Sequence, residues 1–188
     1  MDFDKNEKDV TVMFTGPRPK MLAGYDKEHY QQFVDDVSKY ILELYDLGYL
    51  RFITGGAQGF DQLVFWAVDK AKRIHSEIQN ICYIPYQDYG NKRMKYGLFS
   101  QYEFAQMIHL ADDVRYTSMT FSNNALFKRN KAMCDDASLC VALYPDDRWR
   151  TDGNSIASCM QYACKRGMKM QQIQYAKVNH QLQFLGVV

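Results

Sequence analysis

The sequence is short of the residues that build several common site types. It has five cysteines, Cys82, Cys134, Cys140, Cys159 and Cys164, an odd number with no Cys-x-x-Cys pair, which speaks against a disulfide framework and a zinc site. Reduced, buried thiols are the expectation. Its four histidines, His29, His75, His109 and His180, are scattered without metal-ligand spacing, so no metal and no cofactor is expected. Excess positive charge is missing too. The formal net charge is +1, which makes nucleic acid an unlikely partner. No apolar run reaches the roughly 18 residues needed to span a bilayer, so no membrane partner is expected. The opening MDFDKNEKD is acidic and polar and does not read as a signal peptide. A cytoplasmic location follows as an expectation.

What is present is a globular composition. Hydrophobic residues make up 47% of 188, which suits one domain over residues 1–188 with one core. The 14 tyrosines and 11 phenylalanines are mainly core candidates, with some available to stack on a base.

Short apolar runs alternate with amphipathic stretches. Val10–Phe14, Arg51–Thr54, Ile81–Ile84 and Leu139–Tyr144 read as strands, with a weaker one at Asp113–Tyr116 and another over Met168–Tyr175. Between them, helices are expected from about Lys27 to Leu47, Phe60 to Ile78, Leu98 to Leu110, Asn124 to Asp135 and Ser155 to Lys165. Gly48 is a stop signal for the first. Tyr86–Gly97 and Pro145–Gly153 read as loops, and Gln181–Val188 as an edge strand or a tail. This alternation predicts a Rossmann-like three-layer α/β/α sandwich with a mainly parallel sheet.

Ligands of such sheets bind beyond the carboxyl ends of the strands. Three segments fall there. Thr15-Gly16-Pro17-Arg18-Pro19 follows the first strand. Gly16 would let a ligand approach the backbone, and Arg18 is either a phosphate fork or a solvated side chain. Gly55-Gly56-Ala57-Gln58-Gly59-Phe60-Asp61 joins a strand to a helix, where free backbone N–H groups and the helix dipole favour an anion. Asp61 either caps that helix or accepts ribose hydroxyls. The third segment combines Arg129-Asn130-Lys131-Ala132-Met133 with Thr151-Asp152-Gly153-Asn154-Ser155, where an anion site and ordinary N-capping by Asn154 or Ser155 weigh about equally.

Taken in order, these elements resemble the YpsA/YoqJ-like branch of the SLOG superfamily, which also holds the LOG enzymes and DprA-type proteins. The family's Thr-Gly-His-Arg-Pro loop corresponds to Thr15–Pro19, with Pro17 in place of the His. Its Gly-x-Ala-x-Gly-x-Asp loop is matched by Gly55–Asp61, its Ile-Pro-aromatic strand end by Ile84-Pro85-Tyr86, and its Arg-Asn-x-x-Met by Arg129–Met133. Its final Tyr-Ala-x-x-x-Gly is Tyr162–Gly167.

The resemblance implies a nucleotide-like ligand, with adenine or ADP-ribose-type nucleotides as the nearest analogy, and a homo-oligomer as a possibility. LOG-type hydrolysis also needs a Glu after a Gly-Thr loop. Here no Asp or Glu occurs from Gly153 to Val188, and the loop is degraded to Asp152-Gly153-Asn154 or Asn154-Ser155-Ile156. The leading expectation is therefore a non-catalytic protein that senses or sequesters a nucleotide, with a prophage anti-defence role as one form of it. The alternatives are a nucleotide N-glycosidase or phosphohydrolase using Arg129 with Asp61 or Asp152, and an adaptor in division or DNA uptake. No catalytic residue is assigned.

Overall fold

A computed structural model describes residues 6–90 and 99–188. Leu98, the expected start of one helix, and positions 91–97 of the expected 86–97 loop lie outside them.

Seven strands form one sheet: β1 (Thr11–Thr15), β2 (Arg51–Thr54), β3 (Gln79–Ile84), β4 (Asp113–Tyr116), β5 (Leu139–Leu143), β6 (Lys169–Val178) and β7 (Gln181–Val187). Their order is β4-β3-β2-β1-β5-β6-β7. All neighbouring pairs are parallel except β6 and β7. Five α-helices accompany them among the described residues: α1 (Gln31–Asp46), α2 (Phe60–Lys72), α3 (Gln101–Leu110), α4 (Ala125–Asp135) and α5 (Ser155–Lys165). No helix among these residues is long and apolar enough to cross a membrane. The expected Rossmann-like α/β fold is the observed one.

The period-2 alternation of a strand sends successive side chains to opposite faces. Val12 and Phe14 of β1 pack with Phe33 and Ile41 of α1 and with Leu63 and Val64 of α2. Met13, between them, joins Met133 and Cys134 of α4 and Cys159 of α5 on the other face. Because both faces are covered, β1 and β5 are buried along their whole length. Each buried Phe or Met on these strands contributes about 1.5–3 kcal/mol.

Several boundaries differ from the sequence expectation for identifiable reasons. The first helix begins at Gln31, after a separate 3-10 turn over Lys27–His29 that Asp26 caps through the Glu28 N–H. The break is set by Tyr30, whose buried hydroxyl donates to the Gly24 carbonyl at 2.6 Å and accepts the Ala23 N–H at 3.0 Å. α2 ends at Lys72 rather than near Ile78, since Ile74 is exposed and the apolar stripe does not continue. The expected loop after β5 contains a 3-10 turn, Asp147–Arg150. Residues 181–188 are not a tail. Asn179 and His180, with φ of 49° and 64°, make the two-residue turn that folds β7 back on β6.

This order fixes where a ligand can sit. From β1 the chain builds outward to β4 on one side, then returns to place β5 against the other side of β1, with Thr15 opposite Ala142. The strand order reverses between β1 and β5, and the loops leaving these two strands diverge there.

Candidate functional site

At the reversal point the loop after β1 packs directly on the loop after β2. The Phe60 N–H donates to the Pro17 carbonyl at 3.1 Å. Gly59, at φ 98°, has no room for a side chain, since a Cβ would lie 2.4 Å from that same carbonyl. Gly16 is filled from the other side. A Cβ there would lie 2.4 Å from the Phe60 ring, so its missing side chain accommodates Phe60. Making room for Phe60 is a role that the sequence reading did not give Gly16.

Gly55 and Gly56 serve the interior in the same way. Gly56 has a φ of 66°, and a Cβ would meet the Ile84 side chain at 2.5 Å. At Gly55 a Cβ would fall 1.4 Å from Arg129 Nη1 and 2.6 Å from Asp61 Oδ2. The absence of a side chain at 55 thus makes the space in which a buried ion pair forms.

That pair is the centre of the site. Arg129, on α4, donates through Nη1 to the Gly55 carbonyl and lies 3.2 Å from Asp61 Oδ2. Both side chains are 7% exposed. Asp61 also accepts the Ala57 N–H at 3.3 Å. It makes no cap hydrogen bond to α2, whose N-cap position is Gly59. Asp61 is therefore a buried counter-ion that holds the glycine loop, a role in neither of the two sequence readings. Burial pushes its carboxyl above the usual range, against the opposing pull of Arg129 first and Arg18 second.

Arg129 is not fully satisfied by these contacts. Its Nε is buried and has no hydrogen-bond partner among the described residues. A buried guanidinium N–H without an acceptor is costly and calls for an explanation. The Asn130 side chain follows on α4, half-buried.

Thr15, the last residue of β1, is buried. The Cys159 thiol stands below its ordinary value. Its hydrogen bond with the Cys134 thiol is the main cause, offset by burial, and the Arg129 charge adds to it. Cys134 is correspondingly raised. The two sulfurs are 3.9 Å apart. All five cysteines are free, as expected, but Cys164 is exposed rather than buried.

Arg18 lies above this centre with an exposed side chain, and both its Nη atoms donate to the Tyr89 hydroxyl at 3.3 Å. Tyr89 was not singled out by sequence. The only signal was its place in an aromatic, polar stretch just after a strand end.

The loop after β5 is organised by a separate network. The Tyr144 hydroxyl donates to Asp152 Oδ2 at 2.5 Å and accepts from Asn154 Nδ2 at 2.7 Å. Asn154 Oδ1 accepts the Ile156 and Ala157 N–H groups at 3.1 and 2.9 Å, so Asn154 is the N-cap of α5. Two of the N–H groups at this helix start are therefore already in use. Gly153 and Ser155 are exposed beside it, and a Cβ on Gly153 would meet nothing within 4 Å. Tyr86 and Tyr144 are 4% and 5% exposed, which leaves neither ring a face for stacking.

The structure thus gathers Thr15, Gly16, Arg18, Gly55, Gly56, Ala57, Gly59, Asp61 and Arg129 at one end of β1 and β2. Gly153, Asn154 and Ser155 form the neighbouring wall after β5. No group of three or more His, Cys, Asp or Glu side chains placed to hold a metal occurs among the described residues.

A family model described as the YspA SLOG family matches residues 12–178, from the second residue of β1 to the last of β6. The chain belongs to the YspA SLOG family. It is also similar to the SPbeta prophage-derived protein YoqJ of Bacillus subtilis (strain 168), with 29% identity over 127 residues, covering 61% of this chain and 70% of YoqJ. Membership of this SLOG family supports a nucleotide-related function. It also confirms the branch to which the loops at Thr15–Pro19, Gly55–Asp61 and Arg129–Met133 pointed. In this member, Pro17 stands in the first loop and lends its carbonyl to the seam with α2.

Proposed function

We propose that this SLOG protein binds a nucleotide-derived ligand at the β1/β5 reversal point and releases it unchanged, as a sensor or a sequestering protein. The observation that carries the reading is Arg129. One side of its guanidinium is fixed by Gly55 and Asp61, and its buried Nε has no acceptor among the described residues. A phosphate oxygen of the ligand supplies that acceptor, and Arg18, held by two 3.3 Å hydrogen bonds to the Tyr89 hydroxyl, turns toward the same anion. An adenine or ADP-ribose-like nucleotide is the ligand class that suits the fold.

Turnover is disfavoured by the state of the carboxylates. Asp61 is committed to Arg129 and Ala57, and Asp152 accepts from Tyr144. A hydrolase needs a carboxylate placed to activate water or to stabilise developing positive charge. The prophage origin of YoqJ accords with a sequestering role in a phage–host setting.

The test is a thermal melt with AMP, ADP-ribose, NAD and guanine counterparts, followed by chromatography of the ligand. A ligand at one hundred times its Kd stabilises the fold by about 2.7 kcal/mol. For a chain of this size that raises Tm by roughly 5–10 °C. Arg18→Ala and Arg129→Lys should each reduce the shift. No shift with any nucleotide would sink the reading. Catalytic release of free base or ribose phosphate would replace it with the enzyme alternative.

A further inference from the structure

We infer that Cys134 and Cys159 are a redox pair, which hydrogen peroxide joins as a disulfide that ties α5 to the helix carrying Arg129. The pair works whether or not a nucleotide is bound, so it goes beyond the reading above. Cys134 lies in the last turn of α4 and Cys159 in the second turn of α5. These two helices pack on the same face of the sheet, in a cluster that also holds Met13 of β1 and Cys140 of β5. Within it the Cys134 sulfur meets the Cys159 sulfur at 3.9 Å, across a sequence separation of 25 residues, and the Met13 sulfur at 3.5 Å. Cys134 is 0% and Cys159 3% exposed, which restricts the oxidant to a small molecule.

The two thiols are unequal. The Cys134 hydrogen bond and the Arg129 charge favour the Cys159 thiolate, whereas Cys134 is held in its protonated form. Cys159 is therefore the attacking sulfur. It displaces hydroxide from hydrogen peroxide and becomes a sulfenic acid; that hydroxide and the proton Cys159 gave up make one water. The Cys134 sulfur then attacks the Cys159 sulfur. The S–S bond forms, the S–O bond breaks, and the leaving hydroxide takes the Cys134 proton as a second water. The two thiols together lose two electrons, and one peroxide is reduced to two waters. An S–S bond is about 2 Å long, so the sulfurs must approach by roughly 2 Å. Cys134 is the second-last residue of its helix, where a turn yields most readily.

The experiment treats the folded Cys164→Ser protein with hydrogen peroxide and, in parallel, with dithiothreitol. Cys164 is exposed, and it is removed so that it neither links two chains nor consumes the oxidant. Intact masses, non-reducing peptide maps and thermal melts of both samples are compared. The expected result is a loss of two hydrogens, a link between the peptides holding Cys134 and Cys159, and a Tm raised by roughly 5–15 °C through closure of the intervening loop. In the same background Cys140→Ala should keep the link and Cys159→Ala should abolish it. The map of Cys164→Ser alone identifies the pairing, so the test does not depend on how well the core variants fold. Absence of a link in the folded protein overturns the proposal, as does a link that forms only in denaturant. A link made to Cys140 overturns it too, and so does a sulfoxide at Met13 with both thiols intact. A Cys134–Cys159 bridge that leaves Tm unchanged or lowers it overturns the tie between the helices.

Discussion

Removing Arg129 is the sharpest test of how the site is built. In Arg129→Ala, Asp61 keeps its buried position and loses its countercharge, and the Gly55 carbonyl loses a donor. Breaking a buried pair from one side costs about 3–5 kcal/mol, because the remaining charge is left uncompensated. For a chain of this length, 1 kcal/mol shifts Tm by about 2–4 °C, so the variant should melt roughly 6–20 °C lower at neutral pH. The loss should also depend on pH, with a definite sign. Asp61 is raised in the folded protein by burial even with Arg129 present. A carboxyl raised on folding binds its proton more tightly in the native state. Its contribution to stability therefore falls as pH rises from the ordinary carboxylate range through the folded value. Without Arg129 that value climbs further, so the penalty should be largest at neutral pH and above and shrink as the pH is lowered and Asp61 takes up a proton. Adding Asp61→Asn to Arg129→Ala should recover part of the loss and flatten its pH dependence. Thermal melts of wild type, both single variants and the double variant across this range are the assay. An Arg129→Ala protein that melts within a degree or two of wild type, or whose deficit is the same at acid and neutral pH, would refute the buried pair.

Gly55→Ala should behave like a weaker Arg129 variant, since its Cβ would fall 1.4 Å from Nη1 and drive the guanidinium off Asp61; both stability and nucleotide-induced melting shifts should drop. Asn154→Ala removes the α5 cap and should cost about 1 kcal/mol in chemical denaturation, while Asn154→Ser should recover most of it. Cys164 alone should react quickly with a thiol reagent in the native protein, because the other four cysteines are buried; mass spectrometry should show one adduct folded and five after unfolding. Rapid native labelling of Cys159 would mean that the seam beneath the site opens readily.

Much of the architecture was legible because strand and helix periods are local properties of the chain. Val12-Met13-Phe14 and Cys140-Val141-Ala142 are continuous apolar runs, which is how strands covered on both faces must read. The short edge strand at Asp113–Tyr116 was also visible. The boundaries that moved did so for tertiary reasons: the Tyr30 hydroxyl inserted at the start of α1, and the exposure of Ile74 beyond the end of α2. The site was legible as a set of loops and not as a set of contacts. That Arg129 and Asp61 meet could not be read from a separation of 68 residues. Nor could the link from Arg18 to Tyr89, across 71.

The glycines carry the larger lesson about the site. A glycine-rich turn before a helix suggests open N–H groups waiting for an anion. Here Gly16 makes room for Phe60, Gly59 for the Pro17 carbonyl, Gly56 for Ile84 and Gly55 for Arg129. Two of the N–H groups in that turn, those of Ala57 and Phe60, already have acceptors. The glycines therefore act one step removed from any ligand: they bring two loops and a helix close enough for an arginine to be buried at the reversal point with a donor to spare. On the proposed function, anion recognition then falls to side chains, Arg129 from below and Arg18 from above, and the backbone serves to position them. Substituting a glycine should accordingly weaken binding through Arg129. The loss from Gly55→Ala and from Arg129→Lys should be far less than additive in the double variant, whereas independent cradle contacts would add.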